Sequence, residues 1–373
     1  MKERCMRMET KTSASARNIG CMITMMTLCS LLITGFGNIK QDMWISAIIA
    51  AMIALPLYLV YSRIASINPG LGLFEIAYRH FGKIGGGILT CLLSLYALHV
   101  TTLVTHNFTD FVSVISLENT PKPIVIIGMI VVSGLLASKT LKVIGQWSMI
   151  ILIAIAINFV VTFLWALPEM HFTYLLPVME HSFSEILLAA LSIGAIAFGE
   201  TALALTAFGS LEPGEKPYKA YLIGIGCGIV LLLIAIMRNT LVLGGDMAAT
   251  SIFPSYVTAR IIHTGNYIEH IESVVSFNMI LLGVTKISIC IRAASTGVAR
   301  LLGHEEKMKR YIVLICLVSY IVCIATSSNI MVLIEFVKPY RYYALFFTVL
   351  IPIIIWIKSE LDKGAKGARR QHP

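Results

Sequence analysis

A chain of 373 residues that is 57% apolar and only 13% charged, with a mean hydropathy of +0.83, has about half the charged fraction of a soluble domain and no room for a separate soluble unit. That balance excludes an ordinary globular enzyme and reads as a polytopic membrane protein. A net charge of +9 would suggest a nucleic-acid partner in a soluble chain, but here the basic residues stand between apolar segments, where they set topology, so no nucleic-acid partner is expected.

The basic head, residues 1–18, leads into ten apolar segments, each near the ~20 residues that a bilayer requires. They run about 19–37, 44–61, 86–107, 123–138, 143–166, 185–209, 219–240, 270–291, 311–330 and 340–357. The first is expected to be retained, since no small-x-small cleavage site follows it. Alternate flanks differ sharply in charge: one set carries 22 of the 29 Lys and Arg residues and the other 6, with Lys286 inside a span. Both termini are therefore expected on the cytoplasmic side of an even number of spans. Trp44, Trp147, Trp165 and Trp356 all fall at span ends, where amphipathic rings favour the headgroup level. The loop stretch Phe74–Phe81 is expected to form a short interfacial helix, and the longest loop, 241–269, to form short helices over the outer mouth. The eight cysteines fall mostly inside apolar spans with no CxxC pair, and are read as packing residues with no disulfide frame or metal site. No cofactor is expected, and the chain has no GxSxG, P-loop, HExxH or dinucleotide-binding turn that would mark an enzyme.

Ten spans divide as five plus five: 19–166 as a first repeat, 167–357 as its inverted counterpart, and 358–373 as a cytoplasmic tail of one transmembrane domain. The sixth span would then answer to the first. It holds Leu191–Leu205, an apolar stretch interrupted by Gly194, Gly199 and the carboxylate of Glu200. A carboxylate inside hydrocarbon is costly, and glycine weakens helix interiors, so a broken helix is expected. Amide groups freed at Phe198, Gly199 and Glu200 would face a ligand carboxylate, and carbonyls near 193–195 its ammonium. Gly194, Ala197, Phe198, Gly199 and Glu200 are thus candidate ligand-binding residues; the alternative is glycine-mediated helix packing. Glu200 would neutralise a cation, carry a coupling proton or anchor a neighbouring helix. The first span is interrupted in the matching place by Thr27-Leu-Cys-Ser30 and Thr34-Gly-Phe-Gly37; Thr27, Cys29 and Ser30 form a candidate partner surface unless the hydroxyls simply bond back to their own helix.

Phe198-Gly-Glu200 resembles the "FGE" signature of the endospore germination permeases, the B subunits of spore germinant receptors within the amino acid–polyamine–organocation transporter superfamily. Gln41-Asp-Met-Trp-Ile-Ser46 is similar to the motif opening that family's second span, and Ile268-Glu-His-Ile-Glu-Ser273 to the acidic start of its eighth. The first span departs from the family in having no proline, and Lys286 is unusual for its face. The resemblance implies a LeuT-like fold with broken helices 1 and 6. It also implies an amino acid-like germinant as ligand, partnership with a receptor A subunit and a C lipoprotein, and residence in the inner spore membrane. A proton-coupled amino acid transporter and a non-binding scaffold subunit are the alternatives.

On the third span, Tyr96, His99, Thr102 and His106 share one helical face. Tyr96 and His99 either line the ligand cavity or make interhelical hydrogen bonds. Lys286 in the eighth span, which also carries Asn278, either snorkels to the cytoplasmic interface or supplies a fixed cation where sodium-coupled relatives hold an ion, which makes it the ion- or proton-coupling candidate. Glu269, Glu272, Arg238 and Asp246 are expected as solvated or gate-rim charges at the outer surface.

Overall fold

The computed structural model describes residues 13–29, 39–115, 119–261, 271–326 and 330–371. Ser30, Thr34 to Gly37 and Glu269 lie outside these described residues. Ser15 caps α1 (Ala16–Leu28), its hydroxyl accepting the Asn18 amide at 3.3 Å. The helices α2 (Met43–Ile67), α3 (Leu73–Ile115), α4 (Lys122–Ala137) and α5 (Leu141–Ala166) complete the first half. Within α3 the chain bends at Gly82 (φ 70°, ψ −169°), a conformation that only glycine adopts cheaply, and this sets the stretch before it off as a short helix. The second half opens on α6 (Phe183–Ile193), which starts with a capping box between Ser182 and Glu185 and continues as a π-helical turn, Gly194–Phe198, and a 3-10 helix, Gly199–Ser210. Then follow α7 (Pro217–Thr250), bent at Gly244, a short helix Pro254–Ile261, α8 (Ile271–Leu302), α9 (Met308–Ala325) and α10 (Ile330–Leu345). A second π turn, Phe346–Leu350, leads from α10 into the helix Ile351–Gln371.

Among the described residues, eight helical segments are long and apolar enough to cross a membrane; α4 is a shorter apolar helix of 16 residues, and α1 contributes 13. Burial sorts them. The apolar windows of α6 and α8 are 78% buried, those of α5 and α9 only 22%. Helices that stay apolar while exposed, as α5 is at Ile150, Ile153 and Ile157, face lipid. In α1 every residue except Arg17 is buried. The inner bundle is therefore α1, α3, α6 and α8, jacketed by the rest. Five hydroxyls inside it are satisfied locally: Thr27, Ser94, Thr101, Thr105 and Ser295 each donate to the carbonyl four residues back.

Two ties hold the face that carries the basic loops. The Ala14 amide donates to the Ser210 carbonyl at 2.7 Å and the Glu212 amide to the Ala14 carbonyl at 3.0 Å, which fastens the start of α1 to the end of the α6 segment. Arg63 meets Glu360 at 2.6 Å and His80 meets Asp362 at 2.7 Å, which fastens the C-terminal helix. Arg238 departs from expectation. It is buried rather than at a solvated rim, donating to Thr162 at 2.8 Å and Asn239 at 3.1 Å with its guanidinium over the Phe159 ring. Asp246 is exposed as expected and pairs with Lys40 at 2.8 Å. Trp147 is turned inward, its indole donating to Thr285 of α8 at 3.1 Å, because that interhelical bond replaces an interfacial one.

α3 and α8 approach closely where Gly297 faces Ser94: a Cβ on Gly297 would lie 1.8 Å from the Ser94 hydroxyl oxygen. Gly297→Ala is expected to cost about 1–3 kcal/mol through overpacking, read as a lowered thermal midpoint in detergent. Gly226→Ala, which meets nothing within 4 Å, should leave the midpoint unchanged.

Candidate functional site

The α-helical ladder of the sixth segment is interrupted where the two glycines stand. Its form is a change of winding, not a gap. The Gly199 amide donates to the Gly194 carbonyl and closes the π turn, so neither group is left open for a ligand as the sequence suggested. The Phe198 carbonyl accepts hydroxyls from Thr201 and, at 3.4 Å, from Tyr58 of α2. π turns inside helices recur at functional sites because they turn one residue out of the regular side-chain register.

Glu200 follows this turn and points into the inner bundle. Its Oε2 lies 2.6 Å from Lys286 Nζ, with both side chains at most 5% exposed. Its Oε1 accepts the Tyr340 hydroxyl of α10, which in turn lies 3.1 Å from the Tyr96 hydroxyl of α3. Tyr96 stacks on Phe347 with ring centroids 4.6 Å apart. Cys29, which caps α1, is buried as well. Four helices thus meet through one carboxylate, one ammonium and two phenols. The snorkelling alternative for Lys286 is overturned: the residue stands at mid-length of α8 and is buried, because its ammonium finds a counter-charge nearer than any interface.

The other candidates are distributed differently. Gly194 and Gly199 line an apolar cavity of about 210 Å³ between α2, α6 and α10, together with Ala54, Pro56, Leu191 and Thr348. A Cβ on Gly199 would lie 2.9 Å from Thr348 Oγ1, so the two π turns touch at this glycine. Ala197 and Phe198 are buried, Phe198 edge-on to Tyr58 at 6.3 Å. Thr27 bonds back to Ile23 at 3.1 Å. His99 meets Tyr343 of α10 at 2.5 Å and opens onto a second cavity of about 200 Å³. Tyr96 and His99 therefore do make interhelical hydrogen bonds, and only Tyr96 joins the Glu200 cluster. Sequence reasoning missed Tyr340 and Tyr343. Their spacing of three, with Phe347 four residues on, sets three aromatic side chains along one helical face by sequence, and that was the available signal. Among the described residues no group of three or more His, Cys, Asp or Glu side chains is placed to hold a metal ion.

The sequence profile of the family described as "Spore germination protein" matches residues 14–331. The chain belongs to this family. It is 23% identical over 302 residues to spore germination protein KB of Bacillus subtilis (strain 168), which covers 79% of this chain and 80% of that one. In structure it is similar to MhsT, solved in complex with L-phenylalanine, at a TM-score of 0.67 and 12% identity, over 92% of this chain and 89% of that one. It is also similar to Mhp1, a nucleobase-cation-symport-1 family transporter solved closed with bromovinylhydantoin bound, at a TM-score of 0.64 and 13% identity, over 93% and 78%. The fold is thus the LeuT-type helical membrane fold. The family is that of the spore germination proteins, and the fold is one that solved transporters share.

Removing one partner of a buried ion pair leaves the other charge uncompensated. Lys286→Met is expected to destabilise the protein by about 3–5 kcal/mol. The double variant Lys286→Met with Glu200→Gln should recover most of that loss, since the amide still accepts from Tyr340. Thermal midpoints of the purified wild type, single and double variants in detergent measure both.

Proposed function

We propose that this chain is the ligand-sensing membrane subunit of a spore germinant receptor, in the inner membrane of the spore with both termini cytoplasmic. Its ligand is a small nutrient with a carboxylate and an ammonium, an amino acid in the simplest case. The observation that carries this reading is the Glu200–Lys286 pair, buried at mid-bundle beside the π turn of α6. Intramembrane charges are expensive and mark substrate or ion pathways. A zwitterion fits this pair as no apolar solute does: its carboxylate replaces Glu200 on Lys286 while its ammonium replaces Lys286 on Glu200. Tyr340 and, bonded to it, Tyr96 supply the adjoining wall, and MhsT, with L-phenylalanine bound, supports an amino acid in this fold.

The signal follows from differential affinity. A ligand that opens the pair stabilises the state in which α6 and α8 are separated, and that state is transmitted to a receptor A subunit and a C lipoprotein. Those partners rest on the resemblance to the B subunits of spore germinant receptors, alongside membership of the spore germination protein family. A proton-coupled amino acid transporter is the second reading, favoured by the protonatable pair itself.

The test is a titration of the purified protein with a panel of amino acids by isothermal calorimetry. At least one should bind the wild type. Glu200→Gln and Tyr340→Phe should each weaken that binding by about tenfold or more, as expected when a charge-assisted hydrogen bond is lost. Retention of full affinity by both variants overturns the site. Uptake of the labelled binder into proteoliposomes separates the transporter from the sensor.

A further inference from the structure

The cavity of about 200 Å³ between α3, α9 and α10 has no part in the ligand reading. It is open and large enough for several waters; most of its surface is apolar, but five of its nine lining residues carry polar groups: His99, Thr102, His106, Asp110 and Thr326. Four of these side chains come from α3 at successive spacings of three, four and four, so they form one file about 16 Å long. The file begins at the end of the bundle opposite the basic loops, where Asp110 pairs with Lys122 of α4 at 2.7 Å. His106 Nε2 lies 3.0 Å from the Thr326 hydroxyl at the end of α9. His99 Nε2 lies 2.5 Å from the Tyr343 hydroxyl.

Past His99 the water-accessible part ends and the buried network begins. The His99 ring lies 6.3 Å from that of Tyr340, whose hydroxyl donates to Glu200. The titratable groups around His99 are Tyr96 and His106 on its own helix, Tyr340 and Tyr343 on α10, and beyond them Glu200 on the α6 segment and Lys286 on α8. From α9 the cavity receives Val322 and Thr326, neither titratable, and beside it the Cys323 thiol donates to the Thr102 carbonyl at 3.8 Å. The file of imidazoles and a carboxylate thus ends at His99, whose ring is 6.3 Å from that of the phenol bonded to the buried carboxylate.

We infer that the α3 file is a proton route that loads Glu200 from the face opposite the basic loops, with His99 as the carrier between water and the Tyr340–Glu200 pair. Water protonates the His99 imidazole. The imidazolium passes its proton, by way of a water drawn in from the cavity, to the Tyr340 oxygen as Tyr340 gives its own proton to the Glu200 carboxylate, so one proton enters and no electrons move. Neutral Glu200 then releases Lys286, whose ammonium is free to take the carboxylate of a ligand. The inference rests on the proposed role of that ion pair and gives the receptor a proton-linked response.

The test is infrared difference spectroscopy of the full-length protein in liposomes after a jump from mildly alkaline to mildly acidic pH, with protons as the only probe. Wild type should gain a carboxylic-acid carbonyl band that Glu200→Gln lacks. His99→Phe should reach the same final amplitude about 100-fold more slowly, the scale on which a positioned proton carrier acts. A band that rises at the wild-type rate in His99→Phe overturns the route, as does the absence of any Glu200-dependent band in wild type. His99→Gln, which preserves polarity at the Tyr343 contact, serves where the phenylalanine variant does not fold and should be slowed alike. In addition, Thr102→Cys should react with a membrane-impermeant thiol reagent added on the Asp110 side; failure to react overturns the wet crevice. Amino acid binding is read separately by calorimetry. Normal binding with an unslowed band sinks the route alone, and a slowed band without binding sinks the ligand site alone.

Discussion

One ion pair organises the interior of this protein. Glu200 and Lys286 each carry a charge into the least exposed part of the bundle, and neither could stay charged there without the other. The requirement reaches outward. Holding a nitrogen 2.6 Å from an oxygen across two helices demands that α6 and α8 be fixed in depth and rotation. Both are accordingly the most enclosed of the long helices. Tyr340 and Tyr96 then consume hydrogen-bonding capacity that a lone pair would leave open, and so bring α10 and α3 into the same network.

The winding change in α6 is what lets Glu200 reach this place. A regular helix through residues 191–205 would repeat its faces every 3.6 residues; a π turn followed by 3-10 winding alters that register between Gly194 and Glu200. α10 carries its own π turn at the point where Thr348 meets Gly199. Two irregular helices in contact, beside an apolar cavity and against Pro56 of α2, make a region whose backbone can shift at lower cost than regular helix. At the basic face the Ala14–Ser210 bond ties α1 to the same segment, so a shift of α6 is carried to the start of the chain.

Much of this was legible in the sequence and some was not, for identifiable reasons. The ten segments followed from apolar length and from the charge asymmetry of their flanks, because a bilayer imposes both. Glu200 stood out since a carboxylate in an apolar run has few bland explanations. Lys286 stood out as a charge inside a span, but not as the partner of Glu200: it lay within reach of an interface by length alone, and only the packing of α8 on the inner bundle decides against snorkelling. The open backbone expected at Gly199 failed for a similar reason. Glycine reports that a helix is weak at a point, but not whether the chain there unwinds or merely changes pitch. Tyr340 and Tyr343 were passed over because phenols in an apolar span look like packing until a carboxylate is found beside them.

The pair also bears on how such a site works. With Lys286 on Glu200 the bundle is closed and self-neutralised, so any occupant must compete with an internal ligand already in place. That lowers intrinsic affinity, yet it makes the competition informative. A solute bearing one charge would free one partner and strand the other, at the cost of an uncompensated buried ion. Only a species matching both, or one arriving with a proton, opens the pair without that penalty. As the proposed site, an internal salt bridge of this kind would discriminate by charge pattern before shape, and would leave the empty and occupied states separated by a rearrangement of α6 against α8. Two discrete arrangements with a ligand that prefers one are the physical requirement for a switch, and a transporter needs the same two states plus access from both sides.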